Sequence, residues 1–383
     1  MVTGTMIKKV VYITGTRADF GKIRSLLDRM CQLSQFEVHI FVTGMHMLSK
    51  YGLTCMEIEN RQYRNIYKYI NQNYNDTMDT VLGKTIQGFS DYVKEIKPDM
   101  IVVHGDRVEA LAGATVGSLN NILVAHIEGG EVSGTVDELI RHAVSKMSHL
   151  HFVSNGTARQ RLLQLGENKE RVFVIGSPDV DVMFSDDLPS LKKVKDWYAI
   201  PFQQFGVLLF HPVTTEYQDM ERQAKVLVNA VISSNNNFVV IYPNNDLGCD
   251  FVLSEYRRLE NLPIRFRVIP SMRFDYFLTL LKHADFILGN SSCAIMEAPY
   301  YGVPAIDLGS RQHNRISLPG VVNCACQESE IIASLARVAT MEVEPTQEFG
   351  CGESAQEFVK ILSNPNIWNS GGQKQFFDRV VSQ

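Results

Sequence analysis

Short apolar runs alternate with longer amphipathic stretches along almost the whole chain. That alternation predicts βα units assembled into parallel sheets, because strands covered by helices on both faces read as unbroken apolar runs. In the first half the runs predict strands at Val10–Thr14, Val38–Thr43, Met100–His104, Leu123–Ile127, Leu150–Val153 and Val172–Ile175. Helical spacing predicts helices at Lys22–Cys31 and Thr80–Ile96, the second ended by Lys97-Pro98. In the second half strands are predicted at Val207–Phe210, Phe238–Tyr242, Phe266–Ile269, Phe286–Leu288 and Ala305–Leu308. The join falls within Ile175–Ser190, where Gly176-Ser-Pro-Asp179 breaks the last strand and a polar, proline-containing stretch follows. The expected architecture is α/β: two Rossmann-like, doubly wound domains facing a cleft, at 1–177 and 178–365. The tail, 366–383, is expected to pack back on the first domain as a helix. No internal repeat or low-complexity tract interrupts this order.

Composition changes the picture only by exclusion. At 383 residues, 45% hydrophobic and 21% charged, the chain can bury two full cores. A net charge of −5 argues against nucleic acid or an anionic membrane as partner, so an anionic ligand must be met by local cations. The seven cysteines are scattered, none in a C-x-x-C pair, which points to reduced thiols in a cytoplasm. No apolar run approaches the ~20 residues of a membrane span, and no secretory signal is expected.

Candidate chemistry gathers where the predicted strands end. His126-Ile-Glu-Gly-Gly-Glu-Val-Ser-Gly-Thr-Val-Asp137 packs three carboxylates, one histidine and three glycines behind a buried strand, with Arg141 and His142 close after. Carboxylates are poor strand material and repel one another, so the cluster suggests a site at a strand's carboxyl end. Met100–Val103 runs in the same way into His104-Gly-Asp-Arg107. Thr14-Gly-Thr-Arg-Ala-Asp-Phe-Gly-Lys22 follows the first strand and opens a helix. It reads either as a phosphate-binding turn, with Arg17 and Lys22 adding charge, or as a plain turn capped by Asp19. Gly289-Asn-Ser-Ser292 offers hydroxyls and bare N–H groups for a second phosphate, Glu297 can accept two ribose hydroxyls, and Arg311 follows the next strand. The plain reading there is a helix cap. His211, Asn244 and His46 each follow a strand, as either site residues or ordinary turn residues. His104, His126, His142, His149 and His151 show no metal-ligand spacing, so no metal and no cofactor is expected.

Taken together, Thr14-Gly-Thr-Arg-Ala-Asp19, His104-Gly-Asp-Arg107, His126-Ile-Glu-Gly-Gly-Glu-Val-Ser-Gly-Thr135, His211-Pro-Val-Thr-Thr215, Gly289-Asn-Ser-Ser292 and Ser310-Arg-Gln312 resemble the hydrolysing UDP-N-acetylglucosamine 2-epimerases of bacterial sialic acid and capsule synthesis. The resemblance runs in order from Lys8 to Asn366. It implies a glycosyltransferase-B type fold with UDP held mainly by the second domain. It implies that Arg17, Arg107, His211, Asn244, Ser291, Ser292, Glu297 and Arg311 contact UDP. Asp106, Glu128 and Asp137 would be the catalytic carboxylates, with His211 counted among the catalytic groups, and Lys22, His46 and Arg141 near the sugar. Gly21 stands where the animal form has serine. A homo-oligomer, dimer or tetramer, is implied by analogy.

The implied reaction eliminates UDP across C1–C2 to a 2-acetamidoglycal. Water then adds at C1, giving N-acetylmannosamine and UDP. Close relatives act instead on UDP-N,N'-diacetylbacillosamine and share much of this motif set. A glycosyltransferase would not need the Glu128–Asp137 cluster. A non-catalytic UDP-sugar-binding regulator should have lost one of the acids, and the His-Ile-Glu-Gly-Gly-Glu string argues against a non-hydrolysing epimerase.

Overall fold

The computed structural model describes residues 7–369 and 373–378. Strands β1 (Lys8–Thr14), β2 (Phe36–Val42), β3 (Asn65–Lys68), β4 (Met100–His104), β5 (Leu123–Ile127), β6 (Leu150–Val153) and β7 (Val172–Val174) form one parallel sheet in the order β3-β2-β1-β4-β5-β6-β7. Strands β8 (Gly206–Leu209), β9 (Phe238–Ile241), β10 (Phe266–Ile269), β11 (Phe286–Gly289), β12 (Ala305–Leu308) and β13 (Val321–Cys324) form a second, in the order β10-β9-β8-β11-β12-β13. In each sheet the order in which strands are added reverses once, between β1 and β4 and between β8 and β11. Ligands of doubly wound sheets sit outside the carboxyl ends of the strands at such a reversal.

The chain divides into two units: Met1–Glu131, Asp137–Phe184 and Glu348–Gln383 in the first, Val132–Val136 and Ser185–Gln347 in the second. The boundaries therefore lie at 184/185 and 347/348, where the sequence suggested 177/178 and 365/366. The reason is packing: Phe358, Val359 and Leu362 of helix Ser354–Leu362 complete the first core, Phe358 meeting Phe152 edge-on at 4.6 Å. That core also takes Val10, Tyr12, Val102 and Ile127 from the strands, and Ile23, Leu26, Leu27 and Met30 from helix Arg17–Cys31. The second core joins Leu208, Val240, Leu288 and Ile306 to Ala224, Leu227 and Val231 of helix Met220–Ser233.

Several elements differ from the sequence expectation. β3 and β13 were not predicted; they are short edge strands with exposed positions, so neither produces an apolar run. Two helices start earlier than periodicity suggested, at Arg17 and Met78. Arg17 can start its helix because Thr16 caps it, accepting the Asp19 N–H at 3.1 Å. The helix expected after Pro365 is a short 3-10 turn, Pro365–Trp368, and residues 373–378 are not helical. The remainder of that expectation falls on 370–372 and 379–383, outside the described residues. No helix among the described residues is long and apolar enough to cross a membrane.

Candidate active site

In the first unit the carboxyl ends of β1, β4 and β5 bring together a buried chain of charges. His104 closes β4 with its side chain 8% exposed. Its Nδ1 meets Asp19 Oδ1 at 3.0 Å and its Nε2 meets Glu128 Oε2 at 3.0 Å. A histidine with a carboxylate on each nitrogen donates twice, so it is an imidazolium. Burial opposes the charge, but hydrogen bonds and attraction from Asp19 and Glu128 overcome it and raise the His104 pKa to about 10. Asp19 also accepts from the Thr14 hydroxyl at 2.7 Å and the Gly15 N–H at 3.0 Å; burial pushes its pKa up, and these donors with His104 bring it below the ordinary value. Glu128 accepts from the Ser177 hydroxyl as well. Burial works against its ionisation too, yet the nearby Lys22 charge and His104 hold its pKa far down.

The backbone of Glu128 carries its own signal. Its φ is 62°, the left-handed region that side chains with a Cβ avoid. Its N–H is fixed to Phe152 O at 2.8 Å. Strain of this kind persists where the surroundings over-determine a conformation, which is common at functional sites.

A second group forms around Arg141, which is 2% exposed. Its guanidinium donates to Asp106 and to Glu131 O. Burial disfavours its charge, but Asp106 and then Asp137 raise its pKa further. Three of the sequence candidates, Asp106, Asp137 and Arg141, thus share one electrostatic cluster. His126 supports it from below: Nε2 donates to Gly105 O at 2.8 Å, so Nδ1 is left to accept from the Ser145 hydroxyl at 2.9 Å. Burial lowers the His126 pKa to about 3, consistent with a neutral ring.

The remaining candidates of this unit are held as follows. Lys22 pairs with Asp179 at 3.0 Å. Arg17 pairs with Glu57, and Arg107 with Glu109 at 3.4 Å. His46 is 1% exposed and lies between the Thr14 and Thr54 hydroxyls, at 3.2 and 2.6 Å. Burial takes its pKa down to about 4, which leaves the ring neutral beside Thr14.

In the second unit the ends of β8 and β11 are tied by Asn290. Its side chain accepts the His211 N–H at 2.7 Å and donates to His211 O at 2.8 Å. The Asn290 carbonyl in turn accepts from Gln312 at 2.7 Å and Arg311 at 3.3 Å. His211 Nδ1 accepts the Asn244 N–H at 3.0 Å, which leaves a neutral ring with its proton on Nε2. Ser291 and Ser292 follow directly, but the helix they open is a single turn, Cys293–Met296. Its dipole is correspondingly small, so anion binding here falls to hydroxyls, N–H groups and Arg311. Glu297, 2% exposed, sits at the end of that turn. Residues Val132–Val136 belong to this unit: the Gly134 N–H donates to Arg311 O at 3.0 Å, and a Cβ on Gly134 would lie 2.2 Å from Ser310 O.

The sequence marks His104 as part of a strand-end cluster and Asp19 only as a cap, and it carries no signal for Ser177, Asp179 or Asn290 as site residues. The Thr-Gly-Thr-Arg-Ala-Asp string held Asp19, but no local signal shows that it lies beside His104, 85 residues further on. Among the described residues no group of His, Cys, Asp and Glu side chains is arranged to hold a metal ion.

A family model described as UDP-N-acetylglucosamine 2-epimerase matches residues 29–363. The chain is 45% identical to a Neisseria meningitidis serogroup B protein named UDP-N-acetylglucosamine 2-epimerase, over 97% of this chain and 99% of that protein. It is 31% identical to a UDP-N,N'-diacetylbacillosamine 2-epimerase (hydrolyzing) of Legionella pneumophila, over 93% of this chain and 96% of that protein. A crystal structure of UDP-GlcNAc 2-epimerase from Neisseria meningitidis bound to UDP-GlcNAc matches with a TM-score of 0.79, over 93% of this chain and 100% of that one. At 19% identity that likeness shows a common fold.

Proposed function

Because the chain belongs to the UDP-N-acetylglucosamine 2-epimerase family, we propose that it is a hydrolysing member, converting UDP-N-acetylglucosamine and water to N-acetylmannosamine and UDP for sialic acid synthesis. The name alone does not separate the two reactions of the family. Two Neisseria meningitidis proteins carry it, one 45% and one 19% identical to this chain. The 31% identity to an enzyme named as hydrolyzing, and the His-Ile-Glu-Gly-Gly-Glu string, favour hydrolysis.

The observation that carries the reading is the ionised set Asp19–His104–Glu128 beside the Asp106–Arg141–Asp137 group. In the first step the C2–H bond breaks and its proton goes to a carboxylate. The C1–O bond breaks, its electron pair leaves with the β-phosphate oxygen of UDP, and a C1–C2 double bond forms. Ser291, Ser292, Arg311 and His211 Nε2–H stabilise the departing diphosphate, with Asn244 and Glu297 on the nucleoside. The C1–C2 π pair then takes a proton at C2 from the other face, water bonds its oxygen to C1, and the proton that water loses goes to a carboxylate. Glu128, held ionised by His104 and Lys22, suits a fixed anion facing positive charge at C1. Asp106 and Asp137 are left to move protons.

Incubation with UDP-N-acetylglucosamine in heavy water, followed by NMR, tests this. The expected products are UDP and free N-acetylmannosamine deuterated at C2. UDP-N-acetylmannosamine as end product would move the chain to the non-hydrolysing branch, and a C2 retaining its hydrogen would sink the elimination. A second reading, UDP-N,N'-diacetylbacillosamine as substrate, is favoured by the Legionella relative; the ratio of kcat/KM for the two sugars decides it. Work in the cytoplasm as a homo-oligomer is part of the same proposal, and light scattering reads the assembly.

A further inference from the structure

We propose that Lys374 is a positioning residue: it clamps the carboxyl end of helix Val136–Met147 and thereby fixes Asp106, Asp137 and Arg141. The proposal rests on the reading of these acids as the catalytic pair, and its test is built to fail separately from that reading.

The helix bears Asp137 and Glu138 in its first turn and Arg141 in its second. At its other end the sequence Ser145-Lys-Met-Ser148 has no glycine to close the last turn, so the final carbonyls need other donors. The Ser148 hydroxyl takes Val144 O at 2.7 Å. The rest comes from a distant part of the chain. Lys374 Nζ reaches Ser145 O at 3.1 Å, Lys146 O at 2.9 Å and Ser148 O at 2.6 Å, and pairs with Glu167 at 2.6 Å. An ammonium is the favourable charge at a helix carboxyl end. It lies 228 residues from Lys146, so this is a tertiary closure rather than a local cap.

The tail that delivers Lys374 is itself seated. The Phe377 N–H donates to Gly166 O at 3.0 Å. The Phe376 ring lies so close to Gly166 that a Cβ there would come within 2.3 Å of it, and Lys146 Nζ stands 4.7 Å above the ring.

Two routes lead from the clamp to the proposed site. Arg141 on the same helix holds the Asp106 carboxylate. Ser145, whose carbonyl Lys374 holds, uses its hydroxyl to orient His126, and His126 Nε2 holds Gly105 O, the residue before Asp106. Rotation or fraying of the last helical turn would disturb both. Support residues of this indirect kind typically change activity by about 10- to 100-fold when removed.

The test uses the full chain with Lys374→Met, Lys374→Arg and Ser145→Ala. In Lys374→Met, amide hydrogens of the last turn of Val136–Met147 should exchange faster. Well below its melting temperature its kcat should fall about 10- to 100-fold, with KM for the UDP-sugar changed less than about twofold. Lys374→Arg should restore most of kcat. Ser145→Ala should lower kcat by a similar factor while the helix end stays protected, and it keeps the question open to test if Lys374→Met does not fold. Wild-type kcat in Lys374→Met or in Ser145→Ala would overturn the proposal, as would unchanged exchange in Lys374→Met. Full activity of Asp106→Asn would instead overturn the reading of the acids, whatever the exchange data show.

Discussion

His104 and its two carboxylates set the character of the site at the level of single residues. Removing the ring leaves two buried anions facing each other, and breaking a buried pair in this way costs about 3–5 kcal/mol. The pH dependence has a definite sign. The His104 pKa is raised, so its contribution to stability is whole below the ordinary value of 6.5 and is lost as pH climbs through about 10. Asp19 and Glu128 are lowered, so theirs is whole above the ordinary 3.8 and 4.5 and is lost as pH falls through the folded values. The gap in Tm between wild type and His104→Gln is therefore predicted to be widest between pH 4.5 and 6.5 and to narrow on either side. Thermal melts across pH 3 to 10 check this; a constant gap would mean that His104 is neutral in the fold. Arg311 permits a second residue-scale prediction. Arg311→Ala should weaken UDP binding by about 1.5–3 kcal/mol, the scale of a lost charge-assisted hydrogen bond. Unchanged affinity by calorimetry would take Arg311 out of the nucleotide site.

Elements meet most tightly where β8 and β11 run side by side at the reversal of the second sheet. Gly289 ends β11 with φ of 149°, and a Cβ there would lie 1.9 Å from Leu209 O. Only glycine allows the two strands to approach this closely. The approach is what lets Asn290 bond both the N–H and the C=O of His211. Gly289→Ala is predicted to force the strand ends apart. It should lower stability by about 1–3 kcal/mol, the range for overpacking, and weaken UDP binding at the same time. Denaturant unfolding together with calorimetry measures both. A stability loss with full UDP affinity would show that the nucleotide does not depend on this junction.

Across the whole molecule the proposed duties are divided between the units, nucleotide binding in the second and proton chemistry in the first. Asp106→Asn and Asp137→Asn are each predicted to cut kcat by about 10²-fold or more, the scale of general acid–base catalysis, and Glu128→Gln, which removes the fixed anion, to lower kcat as well, all with UDP affinity preserved. Near-normal turnover in any one of them would make that residue structural. Parallel loss of UDP affinity in all three would argue against the division itself.

Much of this protein is written locally. The apolar runs mark most of the strands in both sheets, because a strand buried on both faces must be apolar throughout. The runs missed β3 and β13, which are edge strands with exposed positions. The clusters at Thr14, His104, His126 and Gly289 mark strand ends, because charged and glycine-rich turns cannot be strand interior. What no run of sequence contains is the pairing of those ends. Which strands adjoin depends on how helices pack across the sheet, and that is settled by contacts between residues far apart. Asp19 thus changes from a helix cap to one arm of an imidazolium bridge once β1 lies beside β4. His46, a site candidate by position, proves to be buried between the Thr14 and Thr54 hydroxyls. Helix Ser354–Leu362 leaves the half of the chain it follows and completes the first core, because Phe358 finds its apolar neighbours there. Charge and pattern told which residues could do chemistry. Only the tertiary structure, by setting His104 between Asp19 and Glu128 so that their hydrogen bonds and attraction outweigh the cost of burial, determined which of them stay charged.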